Sequence, residues 1–309
     1  MKRSSGYSTW YKLRYTFGLL FSLFILSNIL AGVFLAGGLP NIVAGNVAVI
    51  KIHGPIGFSS LFYSQSVSPE ETTKLIKKAD KSNNIKAIIF DINSGGGTPV
   101  ASETIANAIK HSNKTTLALI RDVGASGAYW IASVCDAIIA SKYSITGSVG
   151  VLGSYIDYYG LMRKYNVSYE RLVGGKYKDI GSAYKPLTED ERAILQSKID
   201  KLHSYFLEEI KSNRNLSDWQ LSRVSTGVFF IGTEAKEFGL VDILGSDREA
   251  DDYLKQKLNL TQINRVTLTS RKGFFETLTM AISSGFFRMG EGIGAAFIKT
   301  ENEKPVLFR

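Results

Sequence analysis

Two short runs of small residues in this 309-residue chain have the make-up needed to attack a carbonyl. The first is Asn93-Ser94-Gly95-Gly96-Gly97 and the second is Gly124-Ala125-Ser126-Gly127-Ala128. Ser126 offers a hydroxyl between neighbours small enough for a substrate backbone to come close, and glycine accepts the strained angles of a tight turn. A tetrahedral oxyanion in acyl transfer needs N–H donors already in place. The amide of Gly127, just after the serine, and that of Gly97 in the other run are the candidates. The plainer reading of the second run is a serine capping a helix in a tight strand–helix turn. The first run has a plain reading as well, a close-packed turn. It lacks the Gly-Lys-Ser/Thr ending of a phosphate-binding loop, which argues against a nucleotide.

A serine nucleophile needs a base. The three histidines, His53, His111 and His203, fall in a turn beside the first strand, at the end of a surface helix and inside a long helix. None lies in either glycine run. Lys176 and Lys178 stand in Gly174-Gly175-Lys176-Tyr177-Lys178-Asp179, after an apolar segment at 169–173. A free lysine titrates near pH ~10.4, and burial lowers that value by up to several units. Alternation puts the two lysines on the same side, so spacing does not choose between them, and an ordinary surface pair is the alternative. The single cysteine, Cys135, sits in an apolar run and reads as a packing residue. It excludes a disulfide framework and a cysteine zinc site.

These residues must be held by a scaffold. Residues 46–52 and 85–92 are apolar and β-branched, 116–120 and 137–140 likewise, and each reads as a buried strand. Between them, Ser68-Pro69-Glu70-Glu71 opens a helix to about residue 81, Thr98-Pro99 opens one to about 110, and a third runs from the Ser126 turn to about 134. The β-α-β-α-β-α-β order implies an α/β fold with parallel strands and right-handed crossovers. Both glycine runs then leave strand ends and enter helices, where active sites of open α/β sheets lie. Capping boxes at Thr188–Glu191 and Ser217–Gln220 open a long and a short helix; a further short helix at 233–238 and a strand at 240–244 follow.

The flanks differ from this middle. Residues 17–39 are apolar and uncharged, long enough to span a bilayer as a helix. Lys2, Arg3, Lys12 and Arg14 precede them, so the expected orientation is a cytoplasmic N-terminus (1–16), a single transmembrane anchor (17–39) and the remainder outside. A cleaved signal peptide is the competing reading. The four cations supply nearly half of the net charge of +9. No basic run remains to suggest nucleic acid. Beyond about 250, Phe274, Phe275, Leu278, Ile282, Phe286 and Phe287 recur at near-helical spacing, suggesting an amphipathic extension over 251–309.

Five segments in order give a resemblance. Asn93–Gly97, Gly124-Ala125-Ser126-Gly127-Ala128-Tyr129, Thr146-Gly147-Ser148-Val149-Gly150-Val151, Gly175-Lys176-Tyr177-Lys178, and Gly232-Thr233-Glu234-Ala235 with Gly239-Leu240-Val241-Asp242-Ile243-Leu244-Gly245 resemble the signal peptide peptidase A family in its short, single-domain form, over about 46–250. The resemblance implies a Clp-protease/crotonase-like fold and a Ser–Lys dyad. By position Ser126 matches the nucleophile, Lys178 the general base, Ser148 a hydroxyl that orients the lysine, and Gly97 and Gly127 the oxyanion donors. It implies peptide substrates, remnant signal peptides among them, a ring-like homo-oligomer, and no cofactor or metal. Gly95 departs from the family's usual proline in the first turn. A coenzyme-A enzyme on the same fold and a catalytically silent membrane scaffold are the readings from other classes.

Overall fold

The computed structural model describes residues 7–36, 45–58 and 66–269. These fall in two compact units, one containing helix α1 (Tyr7–Ala36) and the other Val43–Thr269. Among the described residues no helix is long and apolar enough to cross a membrane. The expected anchor at 17–39 runs past the end of α1 and so lies partly outside them. The expected amphipathic extension lies almost wholly outside them.

The second unit is a sheet built on strict alternation. Strands β1 (Val47–His53), β2 (Ala87–Ser94), β3 (Thr115–Ala125) and β4 (Ala137–Ala140) run parallel. Successive side chains of a strand face opposite ways. Ala48, Ile50, Ile88, Phe90, Ala118, Ile120 and Ile138 therefore enter one core, and Val47, Val49, Ala87, Ile89, Leu117, Leu119 and Ile139 enter another. The first face is covered by helices α2 (Pro69–Asp80), α3 (Pro99–Lys110) and α4 (Gly127–Ser133). With both faces buried, the strands read as continuous apolar runs.

Strand β3 forks. Its first half, Leu117–Ile120, pairs with β4, and its second, Val123–Ala125, with β5 (Ile145–Gly147). The sequence reading ended this strand at 120 and made 123–127 a turn; pairing with a three-residue partner twenty residues on extends it. A short helix α5 (Tyr159–Lys164) and the long α6 (Glu189–Arg214) follow. After α7 (Asp218–Val224), β6 (Phe229–Ile231) pairs antiparallel with β5. The sheet is therefore mixed, not wholly parallel.

Helix α8 (Gly232–Glu237) leads to β7 (Ile243–Leu244), which pairs with β4 over two residues rather than the five expected. Helix α9 (Asp247–Leu258) supplies Ala250 and Leu254 to the second core, and β8 (Arg265–Thr267) pairs with β1. The expected domain end at 250 thus falls inside α9, and the compact unit continues to Thr269. Arg121, at the fork, donates to Asp91 (2.8 Å) and Asp247 (2.6 Å), tying β2, β3 and α9 together.

Candidate active site

The first glycine run is fixed by its own serine. Ser94 Oγ donates to the carbonyl of Gly54 (2.6 Å) and accepts from the N–H of Gly96 (3.1 Å). The chain then passes Ile56, whose N–H donates to Gly96 O and whose carbonyl accepts from Thr98, both at 3.0 Å. A Cβ on Gly97 would lie 1.8 Å from the Ile56 carbonyl oxygen, so only glycine fits. Its N–H donates to no described group.

The second run places Ser126 at the end of the β3 fork. Thr146 Oγ1 on β5 donates to Gly124 O (2.7 Å), and the Ser126 N–H donates to Gly147 O (2.8 Å). These bonds hold Ser126 at φ 53°, ψ −126°, a backbone state costing a non-glycine residue of order 1–3 kcal/mol and concentrated at functional sites. The plain reading of Ser126 as a helix cap does not hold: its side chain makes no cap bond, and among the described residues the hydroxyl has no partner. Gly127 opens α4 with an N–H that donates to no described group. A Cβ built on Gly127 would sit 3.3 Å from the Gly97 nitrogen, so the two expected oxyanion donors belong to turns in contact.

Ser148 repeats the strain at φ 49°, with its N–H on Val228 O (3.0 Å). Gly147 before it has φ +80°, and a Cβ there would meet the Phe230 ring at 2.8 Å. Ser126 and Ser148 share one cleft of about 530 Å³, walled also by Val151 and, from α6, Ile199, Asp200 and His203. His203 Nε2 lies 3.1 Å from Val149 O, joining α6 to the Ser148 loop. The sequence gave no reason to bring α6 here; the positions 196, 199, 200 and 203 do carry the spacing of one helix face.

The lysines are not in this cleft. Lys178 follows a turn in which its N–H donates to Gly175 O (3.2 Å). Its side chain is exposed and, among the described residues, paired with nothing. Lys176 stands over the Tyr177 ring at 4.8 Å and reaches Asp190 at 3.4 Å. Tyr177 first, and Asp190 second, push its ammonium above the ordinary lysine range. That is the wrong direction for a base at neutral pH, which separates two residues that spacing could not. The other two histidines are elsewhere: His53 Nε2 meets Asp91 Oδ1 at 3.1 Å, and His111 Nδ1 lies 2.7 Å from Asn107 O.

Fold, serine and amides together are those of a hydrolase with a nucleophilic serine on a strand–helix turn. The model of peptidase family S49 matches residues 108–261. A protein of Methanocaldococcus jannaschii that carries a protease name is 33% identical over 238 residues, 76% of this chain and 75% of its own. An Enterococcus faecium protein named for signal peptide peptidase SppA is 28% identical, over 71% of this chain and 66% of its own. Among solved structures, the 1510-N membrane-bound stomatin-specific protease aligns over 74% of this chain and 99% of its own, at 17% identity and a TM-score of 0.48, too loose a superposition to carry an argument. The chain belongs to peptidase family S49, that of the signal peptide peptidase A proteins, and is a protease of that family.

Proposed function

We propose that this protein is a membrane-anchored serine endopeptidase that cleaves remnant signal peptides and other unfolded peptides through an acyl-enzyme. Ser126 is the nucleophile, Lys178 the general base and Ser148 the hydroxyl that orients the lysine. The observation that carries the reading is the Ser126 backbone, held at φ 53° at a helix start with its hydroxyl unpartnered among the described residues. Ser126 Oγ adds to the peptide carbonyl and its proton passes to Lys178. The oxyanion takes the N–H groups of Gly97 and Gly127, the amine leaves with a proton, and water releases the acyl group. In the isolated chain the Lys178 turn stands outside the cleft, so the dyad requires that turn to close on Ser126, within one chain or from a second copy in a homo-oligomer. The Clp-protease/crotonase-like fold belongs to the same reading.

A second base is favoured by one observation: His203 lines the cleft with Ser126. Hydrolysis of a fluorogenic apolar peptide decides, comparing wild type with Ser126→Ala, Lys178→Ala and His203→Ala, each checked by circular dichroism. Activity in folded Ser126→Ala sinks the serine mechanism. Loss in Lys178→Ala with retention in His203→Ala supports the lysine, and the reverse transfers the role to His203. Activity restored by mixing Ser126→Ala with Lys178→Ala means that two copies share one site. A folded wild type that cleaves nothing returns the scaffold and coenzyme-A readings.

The location proposed is the cell membrane, single-pass, with the N-terminus cytoplasmic and the catalytic unit outside. It is supported by the cations that precede an uncharged stretch. Digestion of the catalytic unit by protease added to intact cells tests it; full protection there and digestion only after lysis overturns it.

A further inference from the structure

We infer that the Ser126 cleft receives a basic side chain of the peptide, Lys or Arg, on the carboxylate of Asp200. This rests on the peptidase reading above and adds a substrate class to it. Helix α6 turns Gln196, Ile199, Asp200 and His203 toward the cleft, at the i, i+3, i+4, i+7 spacing of one helix face. Other acids of α6 already hold lysines: Asp190 with Lys176, Glu191 with Lys185 and Glu209 with Lys110. Asp200 pairs with no cation among the described residues. Its neighbour Lys201 is drawn away, with its ammonium 5.7 Å from the Tyr205 ring centre.

Gln196 Nε2 donates to Asp200 Oδ1 at 2.7 Å. That bond orients the carboxylate and uses one of its roughly four acceptor positions, leaving Oδ2 for a ligand. The other charged or titratable wall, His203, is engaged with the Val149 carbonyl. Beside the carboxylate the cleft is apolar, through Val151 and Ile199. The loop closes tightly there, since a Cβ at Gly153 would lie 3.1 Å from Ile199 Cδ1. An apolar wall ending in a free carboxylate suits a side chain with an aliphatic stem and a cationic head. A purely aliphatic residue would leave Asp200 unused.

The test uses the full-length enzyme and peptides identical except at one position, scanned through each site flanking the cut with Lys, norleucine or Glu. At one position kcat/KM for Lys should exceed that for norleucine by about fivefold, and the ratio should shrink at high salt. In Asp200→Asn the ratio should fall to about one, and Asp200→Lys should prefer Glu. Because each ratio is taken on one preparation, a partly folded variant does not distort it. Equal rates at every position in wild type, or a lysine preference that survives Asp200→Asn, overturns the inference while leaving the peptidase reading intact. Absence of Ser126-dependent cleavage of any peptide overturns that reading, and this inference with it.

Discussion

Replacing Gly127 with alanine adds one methyl group at the point where the two glycine turns touch. Helix propensity alone would favour it, since alanine is better than glycine in a helix by about 0.8–1 kcal/mol. The site reverses the sign. The new Cβ would lie 2.3 Å from Ser102 Oγ and 3.2 Å from Ser102 Cβ. Ordinary contact begins at 3.4 Å, so α3 and α4 must separate by about 1 Å, and overpacking of this kind costs about 1–3 kcal/mol. The same displacement moves the Gly127 N–H away from the Gly97 N–H. A misplacement of about 1 Å at a reacting centre costs on the order of 100-fold in rate. Gly127→Ala should therefore lose about 100-fold in kcat/KM on an apolar peptide while remaining folded. Removing the obstructing oxygen with Ser102→Ala leaves only the 3.2 Å contact, which a shift of a few tenths of an ångström relieves. The double variant should recover most of the stability and a measurable part of the activity, with a coupling of about 0.5–3 kcal/mol in urea melts. Wild-type activity in folded Gly127→Ala, or strict additivity with Ser102→Ala, would refute both the contact and the placing of the oxyanion donors.

Three further outcomes are expected. Gly95→Ala should stabilise the protein by about 0.4–1 kcal/mol, seen as a higher urea midpoint, because a Cβ there meets nothing within 4 Å and Gly95 is not at positive φ; activity should be unchanged. Leu254→Ala should cost about 2–5 kcal/mol, since Leu254 on α9 is fully buried in the second core. Asp247 is held down to about 2 by hydrogen bonds from Arg121 and then Arg265, against the upward push of burial. A carboxyl depressed on folding stabilises above its unfolded value of about 3.9 and loses that contribution as pH falls toward the folded value. Wild type should therefore lose stability between about pH 4 and pH 2 more steeply than Asp247→Asn, measured as urea midpoint against pH.

The parts of this protein legible in the sequence are those whose signals are local. The buried strands at 47–53, 87–94 and 137–140 announce themselves by apolar runs. The helices opening at Pro69, Glu189 and Asp218 announce themselves by capping residues: Thr188 and Ser217 form both halves of the box, and Ser68 accepts from Glu71 N. Strands β5, β6 and β8 were not legible, because three residues carry no period and exist only through a partner far along the chain. The same holds for the site. Ser126 is conspicuous in its small-residue turn, and its strain follows from bonds to β5 that no local pattern records. Lys176 and Lys178 were inseparable by spacing and are separated by Asp190, a residue of another element. His203 and Asp200 were placed on a helix, yet nothing in their helical period says which face meets Ser126.

The pairing of β8 with β1 has a consequence for the order in which the protein is made. Asn264 donates to Asn46 across a separation of 218 residues, and Val47–Val49 find Arg265–Thr267 alongside. The second face of the sheet also waits for Leu254 of α9. A chain growing at roughly 5–20 residues per second therefore carries Val47, Val49, Ile89 and Leu119 without their α9 cover for tens of seconds after the first strand emerges. During that interval the Ser126 turn is already synthesised while the sheet beneath it remains open on one side. Completion of the nascent polypeptide, rather than of the catalytic motif, sets the moment at which this protease can first hold its own shape.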